Sequence, residues 1–346
     1  MEEIRRRLAE LGANDEEIDR ALATTDLGIA SDLRLLKRAT MSARQLADAA
    51  DTSLEDVVVS YLHLGVTIDD TDAVLFQPAE VDLVRLLAIA VDDLFTDEEG
   101  SDILRVAAAA FSQIADTAVN EFAIGVEDRV GGATPETDGD PHKVLDALVA
   151  TAELGEAFSD VAGLVLIHHF RQAAERQRET MRAAEVRNLS RYAVGFVDVA
   201  GYTARSAALA PQELSDFVRR FEVAAFELAV ESGARVVKHI GDEVMFVATT
   251  AAAACRFATA LVRRFGDDDT DARGGVAFGD VLTRRGDFHG PVVNLASRLT
   301  DEAVDGEVLV DQGVHDAVGE ALALEPAGRR KLKGFVEPVR AWSLTV

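Results

Sequence analysis

Two aspartates occupy positions from which carboxylates could bind metal ions. Asp198 ends the apolar run 194–199, and Asp242 lies in the tight turn between the apolar runs 235–240 and 244–247. A carboxylate at a strand end is usually only solvated, but two can meet when their strands are neighbours. Carboxylate oxygens are ligands that Mg²⁺ prefers, together with the phosphate oxygens of a substrate. Two metal ions held in this way can activate an attacking oxygen and stabilise a leaving one.

Three more polar residues have spacings that suit chemistry on a phosphorylated substrate. Lys238 precedes Asp242 by four residues on the same predicted hairpin, in a chain with only five lysines among its 35 basic residues. Asn294 and Arg298 are four residues apart, so they project from one face of a predicted helix. Taken singly, Arg298 is expected to form a surface ion pair and Asn294 a hydrogen bond at the helix end.

The elements that must position these residues alternate after residue 192. Strands are predicted at 194–199, 235–240 and 244–247, near 275–278 and near 340–345. Helices are predicted at 211–231, with Gly233 as its C-cap, at about 251–265 and near 292–302. The order βαββαβ predicts a ferredoxin-like core with additions. That fold by itself carries no information about the reaction.

The first half of the chain has a different pattern. Apolar residues recur at three- and four-residue spacing, which predicts helices nearly throughout, and residues 131–141 form the clearest loop. The predicted fold class is α+β, with an all-α domain at 1–170, a charged linker helix at 171–189 and a ferredoxin-like βαββαβ domain at 190–346.

One helical segment resembles a DNA-binding helix-turn-helix. It covers residues 41–66, and its second helix would enter a DNA groove. That helix carries Glu55 and Asp56 and no arginine or lysine. A packing unit is therefore the favoured interpretation, with a DNA-binding regulator as the alternative.

Composition limits the partners and the location. The formal net charge of −26 disfavours nucleic acid, because the long-range field would repel phosphates. No run of about 18 uncharged apolar residues occurs, and the N-terminus lacks a signal-peptide layout, so we expect a cytoplasmic protein without membrane insertion. The single cysteine, Cys255, excludes internal disulfides and is predicted to be a small core residue.

Three motifs in order resemble the catalytic domain of the class III nucleotidyl cyclases. The motifs are 196–203, 238–245 and 287–298, and the resemblance covers residues 190–346. The resemblance implies in-line attack of a ribose 3′-oxygen on the α-phosphorus of a nucleoside triphosphate, with pyrophosphate leaving. It also implies that the metal residues and the base-contacting residues of one site come from different protomers of a head-to-tail homodimer.

The resemblance further implies a role for seven residues. They are Asp198 and Asp242 as ligands of two divalent cations (Mg²⁺ or Mn²⁺), Lys238 and Asp287 as base-selecting residues, Asn294 for the ribose, Arg298 for charge on the α-phosphate, and Lys333 near the phosphates. Adenine presents an acceptor at N1 and a donor at N6, which match an ammonium and a carboxylate. Guanine reverses both groups, so ATP is the expected substrate and adenylyl cyclase the expected activity.

Two positions depart from the family pattern. Glu243 stands where many relatives have a small residue, and His289 stands at an often aromatic position. Neither departure removes a catalytic group, so an inactive nucleotide-binding module is disfavoured. Lys238 and Asp287 argue against a guanylyl cyclase, and the absence of a Gly-Gly-Asp/Glu-Glu-Phe signature argues against a diguanylate cyclase.

The N-terminal half is expected to regulate the cyclase, by restraining it. Two inputs are open from the sequence. His168 and His169 could respond to pH, since histidine changes charge between about pH 5 and 8. The apolar stretch 161–167 could line a pocket for an apolar ligand, although core packing explains such a stretch as well.

Overall fold

The computed structural model describes residues 1–89, 97–130, 140–181, 189–200, 210–265 and 271–344. The chain divides into two compact units, Met1–Phe170 and Arg171–Val346. Within the described residues, no helix is both long enough and apolar enough to cross a membrane.

The first unit is built from helices. Their bounds are α1 Glu2–Leu11, α2 Asp15–Thr24, α3 Ile29–Leu35, α4 Ala43–Ala50, α5 Leu54–His63, α6 Glu80–Ile89, α7 Asp97–Val130 and α8 Pro141–Met181. Two of these helices begin with reciprocal capping boxes. Asn14 pairs with Glu17 at the start of α2, and Ser42 pairs with Gln45 at the start of α4, which satisfies backbone N–H groups that a helix start leaves free.

The all-α prediction for this unit is incomplete. Strands β1 (Met41–Ser42) and β2 (Val74–Phe76) form an antiparallel ribbon. Phe76 is buried and meets Tyr61 of α5 edge to face, with ring centroids 5.0 Å apart. A two-residue strand and a three-residue strand are too short to show an alternating pattern in the sequence, so the ribbon could be found only through its tertiary packing.

Other sequence predictions for this half have mixed outcomes. Residues 171–181 of the predicted linker continue α8, and residues 182–188 lie outside the described residues, as do 131–139 of the predicted loop. The apolar stretch 161–167 is largely exposed on α8 rather than packed in a core. A cleft of about 400 Å³ between α7 and α8 is lined by other residues, including Phe122 and Phe158.

The second unit alternates strands and helices. Its strands are β3 Leu189–Ala200, β4 Arg235–Ile240, β5 Glu243–Ala248, β6 Asp271–Arg284, β7 Asp287–His289, β8 Val308–Val310, β9 Leu324–Arg330 and β10 Val339–Leu344. Its helices, beyond the end of α8, are α9 Pro211–Ser232, α10 Ala251–Phe265, α11 Pro291–Glu302 and α12 Gln312–Val318.

These strands form one mixed sheet in the order β4-β5-β3-β6-β8-β10-β9, with β7 paired to β6. β3 is antiparallel to both β5 and β6, and β6 is parallel to β8. Helices α9, α10 and α12 share a buried core with one sheet face, and α11 packs on the other. The predicted α+β class is thereby confirmed, and the βαββαβ core, β3 to β6 with α9 and α10, carries β7 to β10, α11 and α12 as additions.

Candidate active site

The turn between β4 and β5 brings Asp242 beside Asp198. The N–H of Val199 donates to the carbonyl oxygen of Asp242 at 3.3 Å, which joins the end of β3 to this turn. Burial, and the negative charge of Asp198 nearby, raise the pKa of Asp242, while Arg273 opposes the shift. The two carboxylates that the sequence assigned to one metal site therefore lie close together.

Two further charged residues flank Asp198 in the sheet. Across β3 and β5 it pairs with Glu243, and across β3 and β6 it pairs with Arg273. Burial, followed by the neighbouring carboxylates of Asp198, Asp301 and Asp242, raises the pKa of Glu243 to about 7. Glu243, a departure from the family pattern, thus adds a third acidic group to this end of the sheet.

Arg273 was missed by the sequence reasoning. Its Nη2 and Nε lie 3.1 and 3.3 Å from Oδ2 of Asp198. Its position at the start of β6 gave no spacing signal. Its partner is set by the register of β3 against β6, two strands that are more than 70 residues apart in the chain at this point.

A second group of residues meets farther along the sheet. Lys238 of β4 donates from Nζ to Oδ2 of Asp287 in β7 at 2.5 Å, across 49 residues of sequence. Burial raises the pKa of Asp287, but the hydrogen bond from Lys238 and the backbone N–H of Phe288 outweigh it, so the net shift is downward. The two residues predicted to select the base therefore form one charged pair, and both remain partly exposed.

Helix α11 carries the predicted ribose and phosphate residues. Asn294 is exposed, and Arg298 lies one turn later, where its Nη1 pairs with Oδ2 of Asp301 at 2.5 Å. The ion pair expected for Arg298 taken singly is thus present. Arg298 nevertheless keeps 38% of its side-chain surface exposed, so it remains available to a ligand.

The position of α11 on the sheet is fixed by a close approach to β6. A Cβ atom at Gly275 would lie 2.5 Å from the carbonyl oxygen of Ala296, so only glycine fits without displacing the helix. The buried hydroxyl of Thr300 donates to the carbonyl oxygens of Ala296 and Phe196, at 3.1 and 3.3 Å. These contacts were not predicted from the sequence. They fix the position of α11 on the sheet, and with it the positions of Asn294 and Arg298.

The remaining predicted residues lie at the margins of these two groups or outside the described residues. Lys333 is exposed in the connection between β9 and β10, and His289 is exposed at the end of β7. Residues 201–203 of the first motif lie outside the described residues. Among the described side chains, no hydrogen bond or ion pair joins Asp198 or Asp242 to Lys238 or Asp287.

The carboxylates of Asp198 and Asp242 fit divalent cations by their chemistry. Both supply hard oxygen ligands, and burial, with a further contribution from the negative charge of Asp198, raises the pKa of Asp242. Among the described residues, no group of three or more side chains is arranged to enclose a metal ion. Two carboxylates plus the phosphates of a substrate are the usual ligand set for Mg²⁺.

Similar proteins support the same family. An adenylate cyclase of Streptomyces coelicolor is 44% identical over 123 residues, which are 35% of this chain and 32% of that protein. A protein of Mycobacterium tuberculosis named pH-sensitive adenylate cyclase is 28% identical over 310 residues, 87% of this chain and 77% of that protein. The described parts of the three motifs lie in β3, β4, β5, β7 and α11 of one unit, and together with these relatives they decide the family. The C-terminal half is a class III nucleotidyl cyclase domain.

Other comparisons add context for this cyclase. An uncharacterised protein of Mycobacterium tuberculosis is 29% identical over 344 residues, which are 97% of this chain and 88% of that protein. The solved structure of the adenylyl cyclase CyaB from P. aeruginosa is 21% identical and covers 46% of this chain and 95% of that one, with a TM-score of 0.41. No family model matches the chain.

Proposed function

We propose that this protein is an adenylyl cyclase that converts ATP to 3′,5′-cyclic AMP and pyrophosphate. The observation that carries the proposal is the pair formed by Lys238 and Asp287, whose Nζ and Oδ2 are 2.5 Å apart. The pair offers a donor and an acceptor side by side, which match N1 and N6 of adenine. Guanine would face the same pair with both groups reversed, so GTP is the poorer substrate.

The remaining site residues act on the ribose and the phosphates. In the reaction, the 3′-oxygen forms a bond to the α-phosphorus, the bond from that phosphorus to the bridging oxygen of pyrophosphate breaks, and the 3′-hydroxyl proton is lost. Asn294 orients the ribose, Arg298 neutralises negative charge that grows on the α-phosphate, and Lys333 binds the phosphates. To reach the α-phosphate, the guanidinium of Arg298 gives up its ion pair with Asp301 and forms one with the phosphate.

Asp198 and Asp242 would hold the metal ions. Bound divalent cations, Mg²⁺ or Mn²⁺, would supply a lowered pKa for the 3′-hydroxyl and neutralisation of the triphosphate. Glu243 adds negative charge at the same end of the sheet, and Arg273 balances part of it. The charges of Glu243 and Arg273 therefore set the electrostatic potential at Asp198 and Asp242.

We further propose that the active protein is a head-to-tail homodimer. Within the described part of one chain, the acidic group around Asp198 makes no polar contact with the Lys238–Asp287 pair, as expected if a site combines one group from each protomer. A two-fold axis then generates two equivalent sites. The N-terminal helical unit is proposed to restrain the cyclase, and a cytoplasmic location remains our expectation.

The catalytic assignment is tested by isosteric substitution. Asp198→Asn and Asp242→Asn remove a negative ligand each and keep the side-chain shape. We expect cyclic AMP formation to fall by at least about a hundredfold with the melting temperature retained within a few degrees. The control is Asp280→Asn, an exposed carboxylate on β6, which should keep wild-type activity. Wild-type rates in either site variant would refute the metal assignment.

A further inference from the structure

Arg273 forms an unusual contact with one of the metal carboxylates. Two of its nitrogens, Nη2 and Nε, converge on the same oxygen, Oδ2 of Asp198, at 3.1 and 3.3 Å. Both side chains are largely buried, with 29% and 21% of their surfaces exposed. A charge-assisted pair that is shielded from water is stronger than an exposed one. The guanidinium therefore occupies the position next to Oδ2 of Asp198 that a metal ion bound to this oxygen would need.

The same guanidinium is anchored on its other side. Nη1 of Arg273 donates to the carbonyl oxygens of Asp301 and Ala303, each at 3.4 Å. These carbonyls belong to the end of α11, where helix carbonyl groups carry partial negative charge and favour a cation. Arg273 thus has a second set of acceptors besides Asp198.

The surroundings of Arg273 are rich in negative charge. Asp198, Asp242 and Glu243 cluster at this end of the sheet, and Arg273 lies opposite Asp198 across β3 and β6. Without this cation the carboxylates would repel each other with less compensation. A divalent cation would relieve the same repulsion, so Arg273 and the metal ion compete for one role.

We propose that Arg273 is a positioning residue that stands in for a metal ion at Asp198, and that a divalent cation binds there only by displacing this guanidinium from the carboxylate. Before metal arrives, Arg273 holds Asp198 in the sheet and offsets the carboxylate charge. When metal binds, Arg273 keeps its bonds to the carbonyls of Asp301 and Ala303. The contact between Arg273 and Asp198 lowers the metal affinity of the nucleotide-free protein. The metal ion therefore binds most tightly when a nucleotide supplies further ligands.

The proposal predicts two effects of opposite sign when the guanidinium is removed. The metal-free protein loses stability, because a buried carboxylate is left without its cation. Metal affinity rises, because the competitor is gone and the field is more negative, and the two effects are linked through one coupling free energy. Damage to the site of a merely structural kind would lower both quantities.

The test uses the full chain without nucleotide and with Mn²⁺ as the probe. Free Mn²⁺ is measured by electron paramagnetic resonance during titration, and the melting temperature is measured in EDTA. For Arg273→Met we expect Mn²⁺ to bind at least about fivefold more tightly, and the melting temperature in EDTA to fall by at least about 2 °C. Unchanged or weaker Mn²⁺ binding would overturn the proposal.

Two additional variants locate the effect at Asp198. Arg256→Met removes a guanidinium that donates to the carbonyl oxygen of Ser232 at 3.2 Å, and it should leave Mn²⁺ affinity unchanged. Asp198→Asn added to Arg273→Met should abolish the gain in affinity. A gain that persists in the double variant lies elsewhere and contradicts the proposal.

A conservative variant keeps the test decisive if Arg273→Met does not fold. Lysine retains the charge but cannot bridge Asp198 and the two carbonyls with a planar fork, so Arg273→Lys should bind Mn²⁺ more tightly than wild type. Equal or weaker binding in that variant would overturn the proposal in the same way. The inference rests on the metal role of Asp198 in the proposed function but not on turnover. Tighter Mn²⁺ binding without any cyclic AMP formation would support it while contradicting the cyclase activity.

Discussion

Lys238 and Asp287 form a 2.5 Å ion pair although their strands, β4 and β7, are not neighbours in the sheet. β4 is an edge strand of the sheet, and β7 pairs with residues 282–284 at the end of β6. The two side chains therefore meet over the face of the strands that lie between β4 and β7. Under the proposed function, this pair would supply the donor and the acceptor for the base and would favour ATP.

Exchange of the pair should change nucleotide preference. Lys238→Glu combined with Asp287→Cys removes the ammonium that matches N1 of adenine and the carboxylate that matches N6. Hydrogen bonds to charged groups contribute about 1.5–3 kcal/mol each, so the ratio of kcat/KM for ATP over GTP should fall at least about tenfold. The ratio is measured with both nucleotides at equal metal concentration. An unchanged ratio would show that the pair does not select the base.

Shared sites should allow two inactive proteins to complement each other. Asp198→Ala removes a metal ligand, and Arg298→Ala removes the residue assigned to the α-phosphate, so each homodimer lacks both sites. A mixed dimer keeps one complete site. Random exchange should restore up to about a quarter of wild-type activity. Subunit exchange is verified with two affinity tags, and exchange without recovered activity would contradict the shared-site arrangement.

Glu243 should make stability depend on pH. Burial, followed by Asp198, Asp301 and Asp242, raises its pKa from an ordinary 4.5 to about 7 in the folded protein. The folded state therefore holds a proton that the unfolded chain releases, so this residue's contribution to stability declines as the pH rises from about 4.5 to 7.

The side chain of the Glu243→Gln variant cannot ionise, so its contribution to stability does not fall as the pH rises. In metal-free buffer its melting temperature should exceed that of wild type at pH 8, and the difference should shrink toward pH 4.5. Glu302→Gln, an exposed site at the end of α11, is the matched control and should show no such trend. A difference that is constant with pH would mean that folding does not raise the pKa of Glu243, and it would contradict this prediction.

Removal of the N-terminal unit should raise activity or flatten its pH dependence. Within its described residues, the unit at 1–170 shows no group of side chains that could carry the reaction. A shared site loses rate steeply with small displacements, on the order of a hundredfold for about 1 Å. Activity of residues 186–346 is compared with the full chain from about pH 5.5 to 8, at concentrations where both are dimeric. Identical profiles would leave the N-terminal unit as a scaffold.

Local patterns predicted most of the cyclase domain's elements. The predicted helix at 251–265 coincides with α10, and the predicted strands at 235–240 and 244–247 coincide with β4 and nearly with β5. Apolar periodicity and a Gly-Asp turn determine these elements locally. β9 was missed because Leu324–Arg330 contains proline, glycine and two arginines, a composition that an edge strand tolerates but that does not indicate a strand.

Part of the site could be predicted from local sequence. Asp198, Asp242 and Lys238 were singled out by their positions at a strand end and in a hairpin, and motif resemblance added Asp287. The structure places Asp198 near Asp242 and pairs Lys238 with Asp287. Arg273 escaped because its importance depends on the register of β3 against β6, which brings it opposite Asp198. Long-range register is decided by packing of the whole sheet, so no local spacing could have indicated it.

Product identification tests the central claim most directly. The purified full chain is incubated with ATP or with GTP, in the presence of Mg²⁺ or Mn²⁺, and the products are identified by mass spectrometry. The account predicts cyclic AMP and pyrophosphate from ATP, at a rate at least about tenfold above any cyclic GMP from GTP. No cyclic AMP with either metal, or cyclic GMP formed at an equal or greater rate, would contradict it.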